Sequence, residues 1–392
     1  MKIIMVLEKD FPPDGRVENE IQQLLSAGHS VDMVCLTKEE SYTTDYKTGK
    51  LYKFKISKLM YKLSALALGL PFYFNFWQRN IEKVLKSNTY DAIHIHDLPL
   101  VEVGLRIKKK YAIKLIADYH ENRPEIMKYY PYLKTFPAKY MISLKKWHTY
   151  QERVSPLVDK LILVTQEAKE YYIQKFGLNP EDIHVVANYA NIEEFDSIPI
   201  DKKITEEVSK KFCITYFGDT GERRGVIELI KVASELNAYT DILFYIIGDS
   251  SEQHLLEREV ERQKAENVVL TGYIPFNKAA SYMISSKIGV CPFHRNVHHD
   301  TTYANKMFQY MHYGLPIIVS DCPSQKIIVE QDNCGLVFEA GNVGDLKKCI
   351  LQLYNDQNFR NELGLKGKQK VVEKYNWETA GKAINALYEG IQ

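Results

Sequence analysis

Cysteine is scarce and unpaired in this sequence: Cys35, Cys213, Cys291, Cys322, Cys334 and Cys349 are its six cysteines, with no Cys-x-x-Cys among them. That scatter argues against a disulfide framework or a cysteine-based zinc site and reads as reduced core thiols of a cytosolic protein. Net charge is nearly absent too. Lys and Arg number 51 against 50 Asp and Glu, a balance of +1, which argues against wholesale nucleic-acid binding. No apolar run approaches membrane-spanning length, and the one in MKIIMVLEKDFPP is too short for a signal peptide. There is no short-period repeat, no low-complexity tract and no Gly-x-Gly-x-x-Gly, so a dinucleotide-binding first turn is disfavoured.

What is present is ordinary globular composition, 45% hydrophobic and 26% charged, over 392 residues. That length exceeds one ordinary core, so two domains are expected. Lys2 to Leu7 reads as a buried strand, followed by a loop, a helix with Val17, Ile21, Leu24 and Leu25 on one face, and a strand from Val31 to Leu36. This is the opening of a doubly wound α/β domain, with ligands expected beyond the strands' carboxyl ends. Further strands are expected at Ala92–Ile95, Leu115–Asp118, Leu161–Thr165 and His184–Ala187. The polar run from Asn191 to Lys211 is the natural boundary. Strand and helix then alternate again, with strands at Ile214–Phe217, Ile242–Ile247, Val268–Thr271, Ile288–Val290 and Ile317–Val319. The expected fold is α/β: two facing Rossmann-like domains, 1–195 and 205–375, with a ligand in the cleft between them and a helix at 376–392.

Candidate functional residues cluster at strand ends. Gly15 and Arg16 follow the first strand, where Pro13-Asp14-Gly15 is equally readable as a plain turn. Two later strands deliver His96-Asp97 and His120-Glu121 to the same edge, and strand ends rich in ionisable side chains favour a site. In His94-Ile-His96 both histidines share one face, but no clear carboxylate partner or matching spacing supports a metal, and none is expected. In the second half, Gly218 to Gly225 mirrors the first strand's loop, with glycines for close approach and Arg224 suited to a diphosphate; Arg223 reads as solvated. The stretch Asp300 to Ser324 supplies a loop, a helix opening at Asn305 and a buried strand. Its helix start can hold an anion, and Lys306 in the first turn opposes the helix dipole unless something negative sits there.

Two stretches are basic and aromatic. Leu51 to Lys86 has seven basic residues against one acid, around an apolar centre from Leu63 to Trp77, and Lys128 to Trp147 is similar. This mixture suits an anionic bilayer surface; a pair of core helices with a solvated basic face is the competing reading.

In order and spacing, FPPDGRV, HIHDLP, DYHENRPE, FGDTGERRG, GYIPF, NKMFQYMHYGLPIIVSD and CGLVF resemble the retaining GT-B glycosyltransferases of family 4 over nearly the whole chain. The resemblance implies sugar transfer from a nucleotide-sugar donor, held by the second domain, to a glycan or lipid-linked acceptor against the first. It implies retention, no cofactor or required metal, and a final helix, Val371 to Gln392, that returns to the first domain. By position, Arg224 and Lys306 would meet the donor diphosphate and His120 would lie near the transferred sugar. Gly15, Arg16, Gly218, Asn305 and Gln309 would complete the donor site, and His96, Asp97 and Glu121 the acceptor side. The expected setting is cytoplasmic, with peripheral contact at the inner face of an anionic membrane and a role in surface polysaccharide or glycolipid assembly. Three positions depart from the family pattern: Thr301 and Gln309 stand where it has glutamates, although Asp300 could serve after a one-residue slip, and Asp219 replaces a basic residue. Those departures keep two alternatives open, a nucleotide-sugar 2-epimerase and a catalytically degenerate partner subunit of the same fold.

Overall fold

The computed structural model describes residues 1–62, 64–136 and 138–391. Leu63, Pro137 and Gln392, which the sequence reading included in its basic-aromatic stretches and final helix, lie outside the described residues. The chain divides into two compact units, Met1–Ala187 with Ala380–Gln392, and Asn188–Thr379.

The first unit is built on an eight-stranded sheet. Its strands are β1 (Lys2–Val6), β2 (Ser30–Thr37), β3 (Tyr42–Tyr46), β4 (Gly49–Lys55), β5 (Ala92–His96), β6 (Lys114–Tyr119), β7 (Lys160–Leu163) and β8 (Ile183–Val185). They run in the order β3-β4-β2-β1-β5-β6-β7-β8, all parallel except the β3–β4 hairpin. β1 therefore lies between β2 and β5, where the winding reverses, and its carboxyl end opens on the crevice such sheets use for ligands. The short runs Ile3–Val6 and Ile93–Ile95 are wholly buried, as expected for parallel strands covered on both faces.

The hairpin strands β3 and β4 escape a periodicity reading, because Thr43, Thr44, Lys50 and Lys53 break the apolar pattern at a sheet edge. Their presence corrects the basic stretch: Lys53 lies on β4, mostly buried, with its ammonium 2.7 Å from Asp10. The helix Phe72–Ser87 corrects it further, since Tyr73, Phe74 and Trp77 pack into the core. Trp147, likewise, is buried on the helix Leu144–Val154.

The second unit has six parallel strands, β9 (Phe212–Phe217), β10 (Ile242–Ile247), β11 (Val268–Gly272), β12 (Ile288–Cys291), β13 (Ile317–Ser320) and β14 (Gly335–Phe338), ordered β11-β10-β9-β12-β13-β14. Here β9 occupies the reversal point, so its loop, Gly218 to Gly225, is the counterpart of the β1 loop. The run Asn191 to Lys211 is not a bare linker. Helices Ile192–Asp196 and Lys202–Val208 form within it, and Ile192, Phe195, Ile198, Ile204 and Val208 pack on the core of this unit. The division of the chain therefore falls at Ala187, ahead of the polar run.

The last helix, Trp377–Glu389, begins in the second unit, and its residues from Ala380 onward belong to the first. Ile384, Leu387 and Tyr388 are fully buried, and the Tyr388 hydroxyl lies 2.9 Å from His94 Nδ1. Leu387→Ala should destabilise the protein by about 2–5 kcal/mol through the cavity it leaves. Denaturant unfolding checks this, and a loss well below that range would show that the helix contributes little to the first unit.

Candidate functional site

In the second unit the site is assembled by the ends of β9 and β12 and by the helix Asn305–His312. β9 ends in Gly218, whose φ of 118° belongs to glycine, and a side chain there would press on Lys306 Cε and Nζ at 3.2 Å. The loop closes with a 3₁₀ turn, Glu222–Arg224, and with Gly225, where a Cβ would lie 1.7 Å from the Pro292 carbonyl oxygen. Only glycine lets this loop dock on the segment after β12, and that docking presents both arginines to His299.

Lys306 enters from the first turn of its helix and is only 9% exposed. Its ammonium rests over the ring of Tyr216 at 3.8 Å and that of Phe293 at 4.9 Å. Among the described residues no carboxylate pairs with it. Burial, then the neighbouring Arg224, drives its pKa well below the ordinary lysine value. The helix above it starts at Ala304 with no side-chain cap, so its first N–H groups are left to a ligand or water. Ring faces stabilise a cation but do not neutralise it. Lys306, the open helix start and the adjacent guanidinium lie together at this edge.

Arg224 lies at this edge with its guanidinium 4.7 Å from the Phe293 ring centre and its Nε donating to Asp219 Oδ2 at 3.0 Å. Arg223 is not a solvated loop residue: its side chain is largely buried and bonds the same carboxylate at 3.1 Å. Asp219, the departure from the family pattern, thus bridges both arginines and holds them in place. His299 Nε2 lies 3.4 and 3.5 Å from Arg223 and Arg224. With Nδ1 donating to the His294 carbonyl at 2.8 Å, Nε2 is left as the acceptor. Burial first and Arg224 second push His299 down to about 2, and burial with both arginines pushes His298 to about 3, so both stay neutral beside the cations.

The two motif departures have different fates. Gln309 has a buried Oε1 with no partner, an acceptor available to a ligand hydroxyl. Thr301 is buried and turns its hydroxyl back to the Val297 carbonyl at 2.6 Å. Asp300 does not take over by a one-residue slip, because Arg295 holds both its oxygens at 2.7 and 3.1 Å. Asn305 is exposed at the helix start.

In the first unit, Gly15 opens the helix Gly15–Ser26 with nothing within 4 Å of where a Cβ would stand. Asp14 caps this helix, accepting from Val17 N at 3.1 Å. Arg16 is not free to meet a donor. Its guanidinium donates to Asp118 at 2.9 and 3.1 Å and to the Val186 carbonyl at 2.9 Å, and forms an ion pair with Glu20 at 3.0 Å. Its donors are taken up inside the protein, so it braces the sheet edge.

Asp118 then orients His120, whose Nε2 lies 2.9 Å from Oδ2, while Asp97 stands 3.8 Å from Nδ1. Burial works against the charged imidazole, but Asp97 and Asp118 outweigh it and raise His120 to about 9. His120 and its neighbours Asp97 and Glu121 remain partly exposed. His96 does not join them on the acceptor side. It is fully buried under His120, 3.3 Å from its Nε2.

Sequence spacing also missed two acids. Glu20, His94, His96 and Asp118 each place a ligand atom within 4.8 Å of the others, so the carboxylate partners absent from the sequence reading are present. Arg16 bonds both of those carboxylates and supplies positive charge there. Glu8, at the end of β1, is pushed by burial up to about 7 and accepts from the Tyr73 hydroxyl at 2.6 Å. Its only sequence signal was an acid directly following a buried strand.

Two family descriptions match this chain: "Glycosyltransferase Family 4" over residues 16–194 and "Glycosyl transferases group 1" over residues 197–370. An uncharacterized glycosyltransferase of Methanocaldococcus jannaschii is 22% identical over 61% of this chain and 62% of its own length, under two thirds of that relative. The UDP-Gal:alpha-D-GlcNAc-diphosphoundecaprenol alpha-1,3-galactosyltransferase of Escherichia coli is 21% identical over 94% of this chain and 91% of its own. Among solved structures, sucrose-phosphate synthase from Thermosynechococcus elongatus shares the fold, with a TM-score of 0.76 at 14% identity over 99% of this chain and 98% of that one. Among the described residues no helix is long and apolar enough to cross a membrane.

The His120 geometry has a measurable consequence. Because its folded value lies above the ordinary 6.5, its contribution to stability is complete below about 6.5 and is lost as pH rises through about 9. Asp97→Asn, which suits the positive φ of this position, should lower the His120 titration seen by NMR and move that loss to lower pH. An unchanged titration would remove Asp97 from the account.

Proposed function

Because this chain belongs to the group 1 family of GT-B glycosyltransferases, we propose that it moves a sugar from a nucleotide-sugar donor to a glycan or lipid-linked acceptor with retention of configuration. The observation that carries the donor assignment is Lys306, a buried lysine held on aromatic faces with no carboxylate in ion-pair contact among the described residues. A nucleoside diphosphate supplies a counterion, and it is also the group on which negative charge grows as the glycosidic bond breaks. Cations and N–H groups already in place stabilise that charge without reorganising.

In this reading Lys306, the first N–H groups of its helix and Arg224 hold the diphosphate, with Gly218 allowing close approach. Gln309 accepts from a hydroxyl of the nucleoside through its unpartnered oxygen. In the first unit Gly15 offers open backbone at a helix start, and His120 serves the transferred sugar as a donor of hydrogen bonds. Asp97 and Glu121 meet acceptor hydroxyls. No residue is assigned to a covalent intermediate, and no metal or cofactor is called for. The Escherichia coli relative, by its name, uses a UDP-sugar and a lipid diphosphate acceptor. We extend that pattern to this chain as a UDP-hexose donor and a lipid-linked acceptor in surface polysaccharide assembly, at the cytoplasmic face of the membrane.

A degenerate partner subunit is the second reading, favoured by Thr301 and Asp300 being turned to protein partners. A donor screen following nucleoside diphosphate release decides between them. Lys306→Ala and Arg224→Ala should each lower turnover on the order of 10²–10³-fold, as for loss of one electrostatic stabiliser. Near-normal turnover in either variant would remove that residue from the donor site. Wild-type protein that binds no nucleotide sugar by calorimetry would favour the degenerate subunit. Interconversion of nucleotide sugars without acceptor would identify a 2-epimerase.

A further inference from the structure

The sequence contains no Asp or Glu between Asp45 and Glu82, nor between Glu125 and Glu152. Each stretch is divided by the fold. One part enters the core, through Tyr73, Phe74 and Trp77 from the first and Trp147 and Tyr150 from the second. Much of the other parts, among the described residues of 57–71 and 131–146, stays at the surface of the first unit, and the two stretches line one groove. Leu66, Leu68, Leu70, Met141 and Trp147 line a groove of about 240 Å³. It shares Leu68, Ser143 and Lys146 with a neighbouring groove of about 430 Å³ that ends at Arg153.

Two short helices on this surface, Lys58–Lys62 and Ala138–Met141, bury none of their residues. Met60 leans on the core, but the other large apolar side chains of these helices are exposed. Phe136 is 84% exposed, Tyr140 77% and Leu59 68%, with Tyr61, Tyr132 and Met141 exposed beside them. Scattered apolar residues need no explanation, but six exposed large ones on two stretches that share a groove mark an interaction surface. Lys58, Lys62, Lys139, Lys145 and Lys146 are exposed among these residues. Among the described residues none of those five has a carboxylate partner. Most lysines of the chain that approach an acid do so on other surfaces, as Lys50 with Asp45 or Lys110 with Glu82.

We propose that this face seats the first unit on an anionic lipid bilayer, with Leu59, Phe136 and Tyr140 entering the interface and the lysines meeting the headgroups. Apolar tips ringed by unpaired ammonium groups match a surface that is apolar within and negative at its boundary. An acidic protein partner would satisfy the lysines but would offer nothing to three protruding apolar tips. A second copy of this chain would place like-charged lysine clusters together. The inference deepens the lipid-linked acceptor reading and rests on it for its purpose, since such an acceptor resides in the bilayer; its geometry rests on this surface alone.

The test is flotation of the full chain with vesicles of phosphatidylcholine alone or mixed with phosphatidylglycerol. Wild type should float with the mixed vesicles, and less so as salt rises. The triple variant Leu59→Ser, Phe136→Ser, Tyr140→Ser and the double variant Lys145→Gln, Lys146→Gln should each weaken partitioning on the order of tenfold or more. All five positions are exposed, so both variants should keep wild-type circular dichroism and donor affinity. Flotation independent of anionic lipid, or equal for wild type and both variants, would overturn the proposal. So would a wild-type dimer that the triple variant splits on gel filtration, or binding to polyglutamate without binding to vesicles. Failure of wild type to bind any donor would instead count against the transferase reading and leave the flotation result standing.

Discussion

A charge taken out of water must be neutralised by a neighbour or left waiting for one, and the two units of this protein illustrate both outcomes. In the first, Arg16 is enclosed by Asp118, Glu20 and the Val186 carbonyl, so it is complete without a ligand. Asp118 in turn orients His120 and, with Asp97, keeps it protonated near neutral pH. In the second unit, Lys306 is equally buried but lies on the faces of Tyr216 and Phe293. Among the described residues no carboxylate pairs with it, and burial beside Arg224 lowers its affinity for a proton, which a bound anion would raise. Two buried cations at equivalent strand edges therefore do different work. One is paired within the protein, and the other is left without a carboxylate partner among the described residues.

The sheet topology is what puts these groups at the ligand edge. β1 and β9 both lie at the point where winding reverses, so the loops that follow them open outward instead of crossing the sheet. The loop after β9 is held down by Gly225 against Pro292 and by Asp219 across two arginines. That bridge gives a physical role to an acidic residue that looked, as a motif position, like a loss. The same cannot be said of Thr301, whose hydroxyl is committed to the Val297 carbonyl.

Similar composition can have opposite fates within one segment. Phe74 and Trp77 are core residues, whereas Leu59 and Phe136 protrude. The difference lies in helix length and placement. The helix Phe72–Ser87 is long enough to lay an apolar face on the sheet, while Lys58–Lys62 and Ala138–Met141 are about one turn each and fully bury none of their residues.

Much of this was legible in the residues themselves. Short β-branched runs at Ile3–Val6, Ile214–Phe217 and Ile317–Val319 specify buried parallel strands, because only strands covered on both faces tolerate them. The glycines after those strands, and Lys306 against the dipole of its helix, single out these loops from chemistry local to each, and the structure places Gly218 beside Lys306. What the sequence could not decide were pairings between distant positions. Arg16 and Asp118 are 102 residues apart, and only the β1–β5–β6 order brings them together and removes Arg16 from the donor site. Burial of His96 and the docking of the polar run after Ala187 were hidden for the same reason. Each depends on which neighbour covers a residue, and a neighbour distant in sequence leaves no local pattern.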